Sequence, residues 1–211
     1  MIITLDGPVA SGKSTLAKAL AQRNNFFHLS SGFFYRSYAF ILLNRNVNLK
    51  NEKEVFDCAS EANIVYKNTD TCEPIVEYNN QNIVLEILSE EIGFAASLIS
   101  GYVKLREMIK REQRNYAMIY NKIILDGRDC GTRIFPDADY KFYITASVEE
   151  RVKRIEKRSK KKFDIEMIER MQERDKNDRN RTFPAHDSYI IETSNLSFEI
   201  VLESLEKIIC N

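Results

Sequence analysis

The chain has little of what several protein classes require. Its 211 residues include only two histidines, His28 and His186, and four scattered cysteines, Cys58, Cys72, Cys130 and Cys210, with no CxxC pair. A zinc cluster and a disulfide framework are therefore not what organises the chain. Free, mostly buried thiols in a reducing compartment are expected instead. No apolar run approaches the roughly 18 residues of a membrane span. Residues 1–6 reach an acid too early, with no basic start, to read as a secretory leader. An excess of one charge is missing as well: 31 Lys+Arg offset 31 Asp+Glu, for a net charge of zero. This argues against a general nucleic-acid binder. A soluble, cytoplasmic monomer is expected. Glycine and proline are sparse, seven and four, so each glycine reads as a placed residue.

What is present suits a globular domain. Hydrophobic residues make up 44% and charged residues 29%, enough apolar material for a sizeable core. The β-branched run at 2–5 and the stretches at 26–29, 123–126, 140–144 and 189–192 read as short strands. Between them, apolar spacings of three and four predict a helix from 13 through at least 23, and helical patterns continue at about 31–44, 51–61, 90–120 (two helices), 148–159, 164–180 and 197–209. Ser197 is a candidate N-cap for the last of these. Residues 63–67, 73–78 and 82–85, with turn chemistry at Asn79-Asn80, predict a small antiparallel unit inserted into the main domain. Strands alternating with helices predict an α/β fold with a mainly parallel sheet.

Gly7-Pro8-Val9-Ala10-Ser11-Gly12-Lys13-Ser14 fits G-x-x-x-x-G-K-[ST] in full and is followed by Thr15. Glycines let such a loop wrap a phosphate, so that backbone N–H groups and a helix N-terminus face the anion. Lys13 adds a point charge, and the Ser14 hydroxyl can ligate Mg²⁺. A glycine turn with a surface lysine is the plainer alternative, but the motif follows a predicted strand and opens a predicted helix. A nucleoside triphosphate site is expected. No N-K-x-D specifies guanine, and the chain is short for a larger ATPase, which leaves a small phosphotransferase.

Arg174, Asp178 and Arg181 recur at i, i+4, i+7, and Arg151, Arg154 and Arg158 form a second stripe beside Lys160-Lys161-Lys162. Solvated helix faces are the ordinary fate of such charges. Arginine's planar, permanently charged fork also suits phosphate oxygens, so the two stripes predict a lid over phosphates. Asp126-Gly127-Arg128-Asp129 ends a predicted strand, where open α/β sheets bind ligands. Asp126 is either functional or a buried structural carboxylate.

Together these stretches resemble the bacterial cytidylate kinases, which phosphorylate CMP and dCMP. The resemblance rests on the phosphate loop and on Ser31-Gly-Phe-Phe-Tyr35-Arg36. It rests further on Asp126-Gly-Arg128-Asp129-Cys-Gly-Thr132, Phe135-Pro-Asp-Ala138 and Glu173-Arg174-Asp-x-x-Asp178-Arg-Asn-Arg181. It implies a P-loop nucleoside monophosphate kinase fold as one domain over 1–211, with an acceptor-binding insert at about 31–120 and a short lid at about 151–181. ATP is the implied donor, with Mg²⁺ at Ser14, and Arg151 and Arg158 join the loop in holding it. Lys13, Arg128, Arg181 and Arg154 are the implied catalytic set. Ser31, Ser97, Arg106 and Asp129 are implied around the pyrimidine, and Tyr35 is implied among the residues that bind CMP or dCMP. Arg36, Arg128 and Arg181 are implied at the acceptor phosphate, and Arg174 and Asp178 at the sugar. The chemistry agrees, because an ionised Asp129 accepts from the cytosine amino group and repels the uracil carbonyl. The chain departs from the family pattern in a contracted stretch at 182–187, a short lid, and Glu192 where aspartate is usual. A kinase for UMP or another small acceptor, and a non-catalytic nucleotide-binding regulator, are the alternatives.

Overall fold

The structure, a computed structural model, describes residues 1–159, 165–178 and 180–210; the side chains at 158, 159, 165–167, 170, 173, 174 and 177 lie outside that description. Ile2–Asp6 (β1), Phe27–Ser30 (β2), Ile123–Gly127 (β6), Tyr140–Thr145 (β7) and Tyr189–Glu192 (β8) form a five-stranded sheet in the order β2-β6-β1-β7-β8. The pairs β1–β6, β1–β7 and β7–β8 are parallel. Register sets Ile3 opposite Ile124 and Tyr140, and Leu5 opposite Asp126 and Phe142. Ile3, Leu5, Ile123, Ile124 and Leu125 are fully buried, as near-continuous apolar strands of a two-sided parallel sheet must be. Asp6 lies opposite Gly127, and Thr145 opposite Glu192. The C-terminal ends of these strands thus share one edge, the side on which such sheets bind ligands.

The chain divides into two compact units, residues 1–26 with 122–211 and residues 27–121. In the first, Lys13–Asn24 (α1) packs on β6 and on Phe198–Cys210 (α9). Leu16, Ala17 and Leu20 share the core with Val201, Leu202 and Leu205. The Ser197 Oγ accepts from the Ile200 N–H at 3.3 Å, so the expected cap at α9 forms. Val148–Ser159 (α7) and Ile165–Asp178 (α8) complete this unit. A π-helical turn at Cys130–Ile134, which the sequence pattern did not signal, follows β6.

The second unit holds Ser31–Asn44 (α2), Glu52–Ser60 (α3), Val84–Ile87 (α4), Glu90–Ile99 (α5) and Val103–Ile119 (α6). Its antiparallel sheet is Ile64–Asn68 (β3), Pro74–Tyr78 (β4) and Gln81–Asn82 (β5). Asn79 and Asn80 both take left-handed φ, 50° and 63°, the conformation a two-residue hairpin turn needs. Phe34 stacks on Tyr66 at 3.9 Å between centroids, among buried Ile41, Leu42, Ile87, Ile99, Leu105 and Ile109. Tyr38 donates to Glu112.

Two expectations need correction. The strand expected over 82–85 stops at Asn82, and Leu85 lies in α4. The Asn82 Oδ1 accepts from the N–H groups of Val76 and Val84, at 3.4 and 3.1 Å, and turns the chain out of the ladder. The helix expected to reach about 180 is described as far as Asp178, and Arg181 lies in a turn, where its N–H and that of Thr182 donate to the Asp178 carbonyl at 2.8 and 2.7 Å. Arg181 therefore stands beyond α8 rather than on its face. Ser97 and Arg106 sit on different helices, α5 and α6, within the stretch expected to hold two.

Candidate active site

In the loop between β1 and α1 the Ser11 N–H closes back on the Pro8 carbonyl at 3.4 Å, and four loop carbonyls meet charged side chains. Gly7 has φ +150°, and a Cβ there would lie 2.0 Å from the Ile144 carbonyl oxygen, so no side chain fits without moving β7. Ala10 is held at φ +59°, a strained conformation of the kind stored at functional sites. Lys13 is buried, with its Nζ donating to the Pro8 carbonyl at 3.0 Å. Burial, with the Arg128 charge beside it, pushes the Lys13 ammonium down to about 7, although Asp126 and Asp6 pull the other way. An amine so desolvated gains much from an arriving phosphate. Ser14 donates to the Asp126 Oδ2 at 2.6 Å, and Asp126 is buried.

Asp6, the last residue of β1, is 5% exposed and accepts from two successive backbone N–H groups, Cys130 at 2.9 Å and Gly131 at 2.7 Å. Burial raises its carboxyl to about 6; the two N–H bonds oppose that rise and nearby Asp129 adds to it. This one carboxylate ties the start of the phosphate loop to the turn that follows Asp129. Asp129 is buried, with Arg133 at 3.9 Å. Arg128 donates to the Gly7 carbonyl at 3.0 Å and to the Asp178 Oδ2 at 3.3 Å, and Arg181 donates to the Asp178 Oδ1 at 2.9 Å. Asp178 thus holds both arginines, one on each oxygen.

Arg151 and Arg154 reach the carbonyl side of the loop. Arg151 donates to the Val9 carbonyl at 3.2 Å and to Asp175 at 2.6 Å. Arg154 donates to the Ser11 carbonyl at 2.8 Å, to Glu150 at 3.1 Å, and to the Thr193 hydroxyl and carbonyl at 3.0 and 2.9 Å. The side chains of Arg158 and Arg174, and the run Lys160 to Lys162, lie outside the described residues. In the contracted stretch, Asp187 accepts from the buried Lys141 at 2.7 Å.

In the second unit, Ser31 is buried at the start of α2. Arg36 lies across Gly93 of α5, where a Cβ would meet its guanidinium nitrogen at 2.7 Å. Its other terminal nitrogen donates to the carbonyls of Ile87 and Ser89, at 2.6 and 3.1 Å. Ser97, half-buried, stands one helical turn beyond Gly93. Tyr35 and Arg106 meet, with the guanidinium carbon 5.9 Å from the ring centroid, and Arg106 also donates to the Ser100 carbonyl at 3.1 Å. Sequence reasoning missed Asp6, Gly93 and Asp175. The only sequence signals were an acid closing a buried strand and a glycine inside a helix of a glycine-poor chain.

The comparisons with known proteins agree over the whole chain. The family model described as cytidylate kinase matches residues 3–211. The cytidylate kinase of Klebsiella pneumoniae (strain 342) is 34% identical over 211 residues, covering 96% of this chain and 92% of that protein. The cytidylate kinase of Bartonella tribocorum is 36% identical over 206 residues, covering 94% and 89%. Among solved structures, a shikimate kinase from Bacteroides thetaiotaomicron superposes with a TM-score of 0.53 at 14% identity, covering 100% and 99% of the two chains; at that identity the likeness speaks for the fold. With a phosphate loop, paired arginines and full-length relatives all in agreement, the chain belongs to the cytidylate kinase family.

Proposed function

We propose that the protein transfers the γ-phosphoryl group of ATP to CMP or dCMP, giving ADP and CDP or dCDP. The observation that carries this reading is the Arg128–Asp178–Arg181 cluster. Two forks are pre-oriented by one carboxylate, and one of them is hydrogen-bonded to the loop that begins the phosphate cradle. A sensor of ATP has no need of a second anion clamp.

In this reading the bond from the γ-phosphorus to the β,γ-bridging oxygen breaks as a bond forms from an α-phosphate oxygen of the acceptor. No covalent enzyme intermediate and no general base are needed, because a phosphate monoester with a second pKa near ~6 is already a dianion at neutral pH. Catalysis is then positioning and charge neutralisation. Lys13 leaves the Pro8 carbonyl for the donor phosphates, while Arg128, Arg181 and Arg36 hold the acceptor phosphate. Each Asp178 oxygen keeps a further lone pair for a sugar hydroxyl, the role the resemblance gives it together with Arg174. Asp129, with Ser31, Ser97, Arg106 and Tyr35, reads the cytosine ring. The Ser14 hydroxyl and the Asp126 carboxylate oxygen, 2.6 Å apart, are the hard donors that Mg²⁺ takes alongside phosphate oxygens. Bound there, the ion would neutralise phosphate charge.

The test is ADP release with ATP and Mg²⁺ against CMP, dCMP, UMP, AMP, GMP and dTMP. Turnover confined to CMP and dCMP is expected. Turnover with UMP or another acceptor instead would overturn the assignment of Asp129, Ser97 and Arg106. Asp129→Asn is expected to weaken CMP more than ATP, and equal weakening of both would remove Asp129 from the cytosine pocket.

A further inference from the structure

A phosphate loop that points its N–H groups at an anion must point its carbonyls elsewhere, and buried carbonyls need donors. Here four of them are met by four cations: Gly7 by Arg128 at 3.0 Å, Pro8 by Lys13 at 3.0 Å, Val9 by Arg151 at 3.2 Å and Ser11 by Arg154 at 2.8 Å. Charge-assisted bonds of this kind are the stronger class, and a polarised peptide is a better N–H donor on its other side. Arg151 differs from the rest. Its side chain is 6% exposed, one terminal nitrogen serves both the Val9 carbonyl and Asp175 of α8, and its Nε is buried with no partner among the described residues. With one nitrogen shared between the ion pair and the loop, Asp175 holds the guanidinium against the Val9 carbonyl.

We infer that Arg151, held by Asp175, is a positioning residue for ATP. It fixes the Val9 peptide from behind, and so fixes the aim of the loop N–H groups at the donor phosphates, without touching the nucleotide. The inference rests on the reading that this loop binds ATP. It departs from the expectation that Arg151 contacts ATP directly.

Arg151→Met, Asp175→Asn and the double variant test it, with KM for ATP, KM for CMP, kcat and melting temperature measured on each. Arg151→Met is expected to raise the KM for ATP about ten-fold, the equivalent of one lost charge-assisted bond, while the KM for CMP stays within about two-fold. Asp175→Asn keeps the arginine and weakens only its hold. It is expected to raise the KM for ATP about three-fold, an effect that vanishes in the Arg151→Met background because the two residues act as one unit. If Asp175→Asn leaves the KM for ATP unchanged or lowers it while Arg151→Met raises it, Arg151 contacts the nucleotide and the inference fails. It fails equally if both variants lower the melting temperature alone, which marks a structural brace. Should Arg151→Met not fold, Asp175→Asn decides by itself. Calorimetric binding of ATP to each variant needs no acceptor, so the inference can be judged even where turnover with CMP is absent and the proposed function has failed.

Discussion

Replacing Asp6 by asparagine isolates the energetic cost of the tie between the phosphate loop and the Arg128–Asp129 turn. The carboxyl is nearly enclosed, and burial lifts it from an ordinary 3.8 to about 6 despite two N–H bonds that favour the anion. A carboxyl raised on folding is protonated in the folded chain while already ionised in the unfolded one. The folded state therefore binds the extra proton between these two values, and stability falls as pH rises through that window. At 1.36 kcal/mol per pKa unit, ionised Asp6 costs about 3 kcal/mol above pH 6; about 2 kcal/mol of that develops between pH 4.5 and 7. Asparagine carries no such penalty. It keeps one oxygen for one of the two N–H groups and sets an amide N–H against the other, a loss of ~1–3 kcal/mol. At pH 7 the two effects nearly cancel, so the variant is expected to be about as stable as the parent yet less active. Urea denaturation of both proteins from pH 4.5 to 7 supplies the comparison, because every other titrating group is common to both. The parent should lose about 2 kcal/mol relative to the variant across that range. Parallel curves would mean that Asp6 is not a desolvated carboxylate, and the argument would collapse.

Lys13→Ala should lower kcat on the order of a hundred-fold or more, the scale of one lost donor to developing charge, with no fall in melting temperature because the buried ammonium it removes is a cost to the empty fold; near-native kcat in the variant would remove Lys13 from the chemistry. Gly93→Ala places a methyl 2.7 Å from the Arg36 guanidinium, the free end of a flexible side chain, so the helix tolerates it and the arginine moves. Steady-state kinetics should then show the KM for CMP raised by about five-fold, with the KM for ATP unchanged; equal changes in both would mean that Arg36 does not hold the acceptor phosphate.

How much of this was legible before the structure depends on whether the determining partner is near in sequence. β1 and β6 are short apolar runs buried on both faces, and α1 follows a complete phosphate-loop motif; these patterns carry their own explanation. Arg128, Asp129 and Asp178 were likewise singled out from motif and position. Asp6 was not, because what makes it more than a strand terminator is a pair of N–H groups 124 and 125 residues away. The stripe of Arg151 and Arg154 was visible as spacing, but spacing does not say what a guanidinium meets. Arg151 finds Asp175 24 residues on and Val9 142 residues back, and neither distance leaves a periodic trace. Arg181 was expected on the face of α8, yet it lies in a turn, from which its guanidinium returns to the Asp178 side chain. The motif G-x-x-x-x-G-K-[ST] encodes which way the loop N–H groups point, and it therefore implies a row of outward carbonyls whatever the remainder of the chain. It leaves open which cations will meet them. That choice is made by Arg128 after β6, Lys13 of α1, and Arg151 and Arg154 of α7, so the partners of the loop carbonyls have to be read from structure even when the binding motif is plain in sequence.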